Sequence, residues 1–191
     1  RRQRQMCIRD CVRRGRPDVQ DPSWNSHSKL NCVTASIQAA KAGADVVVVD
    51  GMQGGTAATQ RVFIEHTGIP TLPSVRLAVE ALEEMDVFGK VQLIVSGGIR
   101  SGADVAKALA RGADAGAIGQ AALMALGCNS HVWHQGEEAF DATEDYMKLG
   151  TRAGYCHHCQ TGQCPVGITT QDKELEQRME PDWGARRLKN Y

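Results

Sequence analysis

The stretch VQLIVSGGIRSGADVAKALARGADAGAIGQ, residues 91–120, carries the strongest fold signal in the chain. Residues 91–96 are a short apolar run typical of a buried strand, and the glycines of SGGIR follow it at once. SGADVAKALARG (101–112) then predicts a helix that ends at Gly112 as a C-terminal cap. ADAGAIG (113–119) predicts a second short strand, with another helix beginning at its tip.

The same alternation extends upstream of this stretch. CVTASIQAAKAG (32–43) has a helical pattern, and ADVVVVD (44–50) is a β-branched run that we expect to be buried on both faces. A helical stretch ending near His66 follows, and SVRLAVEALEEM (74–85) is an amphipathic helix pattern with Ser74 as its predicted N-cap. Strands that alternate with helices predict an α/β fold with a parallel sheet. Periodicity does not distinguish a β/α barrel from an open doubly wound sheet.

The glycine loops favour the barrel. Gly97 and Gly98 stand between a strand and a helix, where backbone N–H groups can approach a phosphate closely. The next strand ends at Gly119 and Gln120, and the helix N-terminus there also favours an anion. One such turn has an ordinary structural explanation, but two in tandem are typical of the phosphate site after strands seven and eight of a (β/α)8 TIM barrel. A complete barrel needs about 250 residues, so we interpret this 191-residue chain as the C-terminal part of one, truncated or degraded at its N-terminus, with a cysteine-rich loop after the last strand.

A third glycine loop, GMQGGT (51–56), follows the predicted strand at 44–50. Gly54 and Gly55 would let the backbone approach a flat ring or a carboxylate, while Thr56 offers a hydroxyl. A purely structural tight turn is the alternative. The loop is not a P-loop, because the Lys-Ser/Thr pair is absent, and it lacks the G-x-G-x-x-G of a Rossmann fingerprint.

The chain contains seven cysteines, and three of them form the run Cys156-x₂-Cys159-x₄-Cys164, followed by proline. Thiolates at this spacing can bind one soft metal centre, and proline after the last cysteine recurs in iron–sulfur loops. Zinc fits the spacing equally well. A disulfide is disfavoured, because clustered cysteines without a secretion signal indicate metal binding or redox chemistry. No role is assigned to Cys7, Cys11 and Cys32.

Three motifs together resemble the FMN-binding synthase domain of glutamate synthase: DGMQGGTAAT (50–59), IVSGGIRSGADVAKALARGADAGAIGQAALMALGC (94–128) and CPVGITTQD (164–172). They occur in the family's order between about Lys41 and Asp172. The family's GGTGAS loop matches at its first three positions and departs from Ala57 onward. The resemblance implies that FMN is bound by Gly54, Gly55, Thr56, Ser96, Gly97, Gly98, Ile99, Arg100, Gly119 and Gln120.

The resemblance also implies an iron–sulfur cluster. Members of the family hold a [3Fe–4S] cluster through three cysteines, and Cys128, Cys159 and Cys164 match their positions. Cys156 is additional, and a fourth thiolate could complete a [4Fe–4S] cluster instead. The metal ligands predicted on this basis are therefore Cys128, Cys156, Cys159 and Cys164.

The segment between the first two of these cysteines, residues 129–155, is an insertion relative to the family. It is polar and acidic, and we expect a helical core around Phe140 to Leu149. Histidines beside a cluster are more often surface or hydrogen-bonding groups than ligands. We apply this interpretation to His131, His134, His157 and His158.

We divide the chain into four segments. These are a disordered or non-native leader (1–31), barrel elements with the FMN-phosphate site (32–127), the insertion with the iron–sulfur loop (128–172), and a charged C-terminal helix broken at Pro181 (173–191). The formal net charge is zero and the longest apolar runs are a few residues, so neither nucleic acid nor a membrane is expected as a partner. No signal-like segment opens the chain, and we therefore expect it to be cytoplasmic.

The function that the resemblance implies is an oxidoreductase acting on CH–NH₂ groups. FMN would reduce 2-iminoglutarate, formed from 2-oxoglutarate and ammonia, with electrons relayed by the cluster. Glutaminase and electron-donor functions are expected on separate subunits or domains, and no catalytic residue is assigned here.

Three alternatives stay open. An N-methylglutamate synthase flavin subunit, which uses methylamine and glutamate, would suit the departures at Met52-Gln53 and Ala57-Ala58-Thr59. A catalytically incomplete cofactor-binding fragment is the second, because Lys29 does not match the family's oxoacid-binding lysine convincingly. The third is a barrel that binds a sugar phosphate, against which the cysteines argue.

Overall fold

The computed structural model of the chain describes residues 5–7, 36–56 and 59–191. It divides into two compact units, one reaching to Ile118 and the other running from Gly119 to Tyr191. Thr56 is grouped with the second unit. No helix in the described ranges is long and apolar enough to cross a membrane.

The first unit is built on a parallel sheet. Its strands lie in the order β1-β2-β3-β4, and every neighbouring pair is parallel. Val46 is paired with Gln92 and Asp50 with Ser96, so β2 and β3 end level with each other. The predicted α/β fold with a parallel sheet is confirmed, whereas the barrel stays a prediction. The four strands are β1 (Gln5–Cys7), β2 (Val46–Asp50), β3 (Gln92–Ser96) and β4 (Ala115–Gly116).

Strand β1 lies within the segment that we predicted to be a disordered or non-native leader. Its backbone pairs with β2, with Gln5 opposite Val46 and Cys7 opposite Val48. Cys11 and Cys32 lie outside the described residues.

The part of the first unit that the structure describes contains four helices: α1 (36–41), α2 (Arg61–Glu65), α3 (Thr71–Glu84) and α4 (Gly102–Ala110). The prediction that Ser74 caps α3 is wrong, because the helix begins at Thr71 with Pro70 as the N-cap. Pro73 then falls in the first turn, where the missing N–H costs nothing. Ser74 instead donates its hydroxyl hydrogen to the carbonyl oxygen of Thr71, at 2.7 Å.

The predicted end of α4 is confirmed. Gly112 has a φ of +103°, and the N–H of Ala113 donates to the carbonyl oxygen of Ala108 at 3.1 Å. This is the pattern of a helix closed by a left-handed glycine.

The core of the first unit lies between α3 and the sheet. Val46 and Val48 are buried as well as Val47 and Val49, so β2 is covered on both faces as its sequence predicted. Strand β3 alternates instead, with Gln92 exposed. The main core side chains are Val47, Val49, Val75, Val79, Leu82, Leu93 and Val95.

The second unit contains short helices and one hairpin. Helix α6 lies inside the range expected to be helical, but the hairpin before it was not predicted. Its strands are joined at Gly136, whose φ of +62° suits a tight two-residue turn. Pro181 begins the last helix, so residues 173–191 form two helices separated before this proline. The elements are α5 (Gln120–Ala125), β5 (Val132–Gln135), β6 (Glu138–Asp141), α6 (Thr143–Lys148), a 3₁₀ turn (Cys159–Thr161), α7 (Lys173–Glu176) and α8 (Pro181–Asn190).

Candidate functional site

Two of the predicted cofactor loops meet at the carboxyl end of the sheet. A Cβ atom built on Gly97 would lie 2.9 Å from the backbone nitrogen of Gly54, and one on Gly98 would lie 2.5 Å from Cβ of Gln53. Gly97 and Gly98 also have positive φ angles of +97° and +70°. Glycine is therefore required at both positions by the close contact between the loops after β2 and β3.

Thr71 and Gln53 hold these two loops together. The backbone N–H of Thr71 donates to Oε1 of Gln53 at 2.8 Å. The Thr71 hydroxyl lies 2.6 Å from the carbonyl oxygen of Gly97 and 2.8 Å from the same Gln53 oxygen, so one proton serves two acceptors. Thr71 was not singled out from the sequence, and Gln53 was noted only as a departure from the family's loop, because the contact joins segments that are separate along the chain.

The backbone N–H of Arg100 has a partner within the chain. It donates to the carboxylate of Asp104 at 3.2 Å, and the Ser101 hydroxyl donates to the same oxygen at 3.1 Å. These two hydrogen bonds, the one from Arg100 first, lower the pKa of Asp104. The loop is therefore tied to the first turn of α4.

The position of the loops suits a ligand. Ligands of open α/β sheets bind outside the carboxyl ends of the strands, and this is where the loops after β2 and β3 adjoin. Gly55, Gly98 and Arg100 are exposed there, whereas Ile99 is buried and Ser96 is half-buried. Gly119 and Gln120, both exposed, belong to the second unit together with Thr56.

The four predicted metal ligands line one pocket in the second unit. The pocket is partly open to solvent, and its cavity volume is about 20 Å³. Its wall combines the cysteines with apolar side chains such as Leu123, Val166 and Ile168. The cysteines in the wall are Cys128, Cys156, Cys159 and Cys164.

Cys128 is placed by the end of helix α5. Gly127 has a φ of +104°. Its N–H donates to the carbonyl oxygen of Met124, and the N–H of Cys128 donates to the carbonyl oxygen of Leu123 at 2.9 Å. This pair of bonds is the Schellman motif. The motif turns the chain so that Cys128 enters the pocket wall immediately after the helix.

Asn129 joins Cys128 to Cys156 across the insertion. Its side-chain oxygen accepts the backbone N–H of Cys156 at 2.7 Å, and its side-chain nitrogen lies 3.4 Å from the carbonyl oxygen of Cys156. The same nitrogen is 3.8 Å from Sγ of Cys128. Asn129 has a φ of +62°, which asparagine tolerates better than most residues.

Arg178 fixes the segment that follows Cys164. Its Nη1 donates to the carboxylate of Asp145 and to the carbonyl oxygen of Pro165, the latter at 2.8 Å. Its guanidinium also lies over the ring of Trp133, with Cζ 5.3 Å from the ring centre. Arg178 therefore connects the hairpin, helix α6 and the cysteine loop.

Burial and the nearness of the thiols to one another raise the pKa of Cys128 and of Cys156. Burial is the largest cause that raises the pKa of Cys128, followed by the thiols of Cys159, Cys164 and Cys156. The pKa of Cys156 is raised chiefly by burial as well, although a hydrogen bond from the His158 backbone opposes it. Thiolates this close together need a cation to stabilise them. A metal centre would supply that charge.

The pocket wall also contains buried polar atoms that lack a hydrogen-bond partner. The atoms are the hydroxyl of Tyr146, Nδ1 of His158 and the hydroxyl of Thr169. Burial, followed by the thiols of Cys156, Cys164 and Cys128, raises the pKa of Tyr146, so its hydroxyl keeps its proton.

No three His, Cys, Asp or Glu side chains among the described residues stand in ligand geometry. The four thiols and the three unpartnered polar atoms nevertheless share one wall. This donor set fits a sulfur-containing metal centre, because sulfide and thiolate accept hydrogen bonds.

The histidines occupy varied positions. His134 is stacked on Trp183, with ring centres 4.6 Å apart, and His157 is stacked on His158 at 4.5 Å. His131 and His157 are exposed, and only His158 belongs to the pocket wall. Of the residues that shape the pocket, Asn129, Tyr146 and Arg178 had no recognisable sequence signal.

Comparison with known proteins gives consistent results. The family model described as a conserved region in glutamate synthase matches residues 26–137 and 134–191. A glutamate synthase large subunit-like protein of Rhizobium meliloti is 60% identical over 153 residues, which are 80% of this chain and 33% of that protein. An archaeal glutamate synthase [NADPH] of Methanocaldococcus jannaschii is 39% identical over 160 residues, 84% of this chain and 26% of that protein.

The chain therefore spans about a third of the first relative and about a quarter of the second. Among solved structures, a FabK mutant from Thermotoga maritima aligns with 91% of this chain and 68% of its own, at 15% identity and a TM-score of 0.38. A similarity at that level carries no argument about the fold.

Proposed function

We propose, from the premise that this chain belongs to the glutamate synthase family, that it binds FMN and an iron–sulfur cluster for a glutamate synthase-type oxidoreductase. The observation that carries this proposal is the cysteine pocket. Cys128 lies on one side of the insertion and the other three thiols on the far side, yet all four line the same wall. Three buried polar atoms without partners stand in that wall too.

The protein's own residues would bind and orient the two groups. The loop from Ser96 to Arg100 would hold the phosphate of FMN together with Gly119 and Gln120, and the loop of Gly54, Gly55 and Thr56 would lie against the flavin. The hydrogen bond between Gln53 and Thr71 holds the loops after β2 and β3 in position. When bound, the two groups would supply a hydride for an imino acid and a path for the electrons that produce it.

The substrate side of the proposal follows from the family. We expect 2-oxoglutarate or a glutamate-type substrate, with ammonia supplied by a separate glutaminase subunit or domain and electrons by a separate donor. The sheet of the first unit would be the C-terminal part of a (β/α)8 barrel. Turnover should be measured on the full-length protein that contains this chain, with ammonia compared against methylamine. The preferred amino donor would distinguish glutamate synthesis from N-methylglutamate synthesis.

The decisive test is purification under anaerobic conditions, followed by a visible spectrum and by measurement of FMN, iron, acid-labile sulfide and zinc per chain. We expect flavin bands above a broad iron–sulfur absorption. A colourless protein that contains zinc would contradict the proposal.

Single cysteine substitutions identify the ligands and the type of cluster. Cys128→Ser, Cys159→Ser and Cys164→Ser should each lose most of the iron. Cys156→Ser should keep iron if the cluster is [3Fe–4S] and lose it if the cluster is [4Fe–4S]. Cys32→Ser is the control and should keep the wild-type iron content.

Substitution of Arg100 tests the phosphate loop independently of the metal. Arg100→Ala should reduce the FMN content of the purified protein while iron remains bound. Arg111→Ala, an exposed arginine of the same unit, is the matched control. Equal FMN in both variants would argue against a role of Arg100 in binding the phosphate.

A further inference from the structure

Tyr146 is an unusual component of the cysteine pocket. It belongs to helix α6 in the insertion, it is only 1% exposed, and it is the largest fully buried side chain among the described residues. Its side chain brings a hydroxyl into the pocket wall. That hydroxyl is buried and has no hydrogen-bond partner among the described residues. A buried hydroxyl without a hydrogen bond is unfavourable.

The position of Tyr146 does not depend on its hydroxyl. The backbone N–H of Tyr146 donates to Ala142, and its carbonyl oxygen accepts from Thr151 at 3.0 Å. The neighbouring Asp145 is bound by Arg178, which also holds Pro165 directly after Cys164. These contacts hold helix α6 and the cysteine loop in place without using the Tyr146 hydroxyl. Its hydrogen can therefore be donated to another acceptor.

The pocket wall contains four cysteine sulfurs, which can accept hydrogen bonds. Cys128, Cys156 and Cys164 line the same pocket as Tyr146. A phenol with an ordinary pKa of about 10 is protonated at neutral pH and can donate. Hydrogen bonds to the sulfurs of an iron–sulfur cluster are among the determinants of its reduction potential.

We propose that the Tyr146 hydroxyl donates a hydrogen bond to a sulfur atom of the cluster bound in the cysteine pocket and thereby raises its reduction potential. This inference rests on the proposed function. Tyr146 is a positioning residue rather than a ligand. It would make the segment between Cys128 and Cys156 part of the electron-transfer site.

The test compares reduction potentials in the anaerobically purified, iron-loaded protein. Tyr146→Phe should keep the iron content and lower the midpoint potential, because donation to sulfur favours the more negative, reduced cluster. We expect the equilibrium constant for one-electron reduction to fall about tenfold, equivalent to about 59 mV. Tyr155→Phe is the matched control, since Tyr155 adjoins Cys156 but is 65% exposed, and its potential should equal that of the wild type.

A second experiment leaves the ring in place. The chain has three tyrosines, so fluorotyrosine incorporated into a Tyr155→Phe, Tyr191→Phe protein labels Tyr146 alone. Fluorination makes the phenol more acidic and a stronger donor, and the potential should rise. An unchanged midpoint potential in this fluorinated protein, or in an iron-loaded Tyr146→Phe variant, would overturn the inference about Tyr146 and leave the proposed function standing. A colourless zinc protein would overturn the inference together with the proposed function.

Discussion

Asp145 shows how one residue makes the stability of the second unit depend on pH. Burial would raise the pKa of this carboxyl, but hydrogen bonds from Arg178 and Lys148 and the charges of both bases outweigh it, so the pKa is lowered. A group whose pKa is lowered by folding stabilises the folded state above its unfolded pKa, near 4. That contribution is lost as the pH falls through the folded pKa.

We predict that Asp145→Asn lowers the free energy of unfolding by about 1–3 kcal/mol at pH 7, because Arg178 loses a charged hydrogen-bond acceptor. The difference between variant and wild type should shrink as the pH is reduced below about 4. Urea unfolding followed by tryptophan fluorescence measures it. Glu144→Gln, an exposed neighbour on the same helix, should behave like the wild type. A difference that persists at low pH would contradict this account.

A second residue-level prediction concerns Gly98. Gly98→Ala places a Cβ against Gln53 in a residue with a φ of +70°. The left-handed backbone alone costs about 1–2 kcal/mol, so we expect at least that loss in the free energy of unfolding, measured by circular dichroism.

Gly102→Ala is the control for this substitution. A Cβ on Gly102 meets nothing within 4 Å, and alanine suits the first turn of α4. The control should therefore be neutral or stabilise by a few tenths of a kcal/mol. If Gly98→Ala proved as stable as Gly102→Ala, the close contact between the two loops would be absent.

At the level of elements, helix α3 supplies most of the side chains that cover the sheet of the first unit. Leu82 is fully buried on this helix, whereas Leu109 on α4 is 45% exposed. Leu82→Ala should destabilise the protein by about 2–5 kcal/mol through the cavity that it creates. Leu109→Ala should cost far less. Chemical unfolding followed by circular dichroism at 222 nm compares them, and similar losses in the two variants would contradict the assignment of the core.

Elements also show where sequence patterns are insufficient. The apolar run of β2 and the glycine that closes α4 are local signals, and both predictions are confirmed. The start of α3 was misplaced because Pro73 looks like a helix breaker but is tolerated in a first turn. The hairpin was missed because the stacked pair of Trp133 and Phe140, 4.4 Å apart, is made across strands.

For the whole molecule, the proposed cluster should link metal content to stability. Trp133 and Trp183 both belong to the second unit, so in a Trp24→Phe protein their fluorescence reports on that unit. Anaerobic removal of iron with a chelator should lower the Tm of this transition, because a ligand that binds only the folded state stabilises it. Cys128→Ser should start from the lower Tm and not respond to the chelator. A chelator-insensitive wild type would contradict the prediction.

Across the molecule, short-range sequence accounts for strands β2, β3 and β4, the glycine that closes α4 and the close spacing of the last three cysteines, because backbone preferences and metal-ligand spacing act over a few residues. The approach of Cys128 to these cysteines across the insertion, the Arg178 contacts and the unpartnered hydroxyl of Tyr146 come from packing between segments far apart in the chain. Such contacts depend on the complementary shape and polarity of distant side chains. Local periodicity does not record this complementarity, which arises when the segments fold against one another.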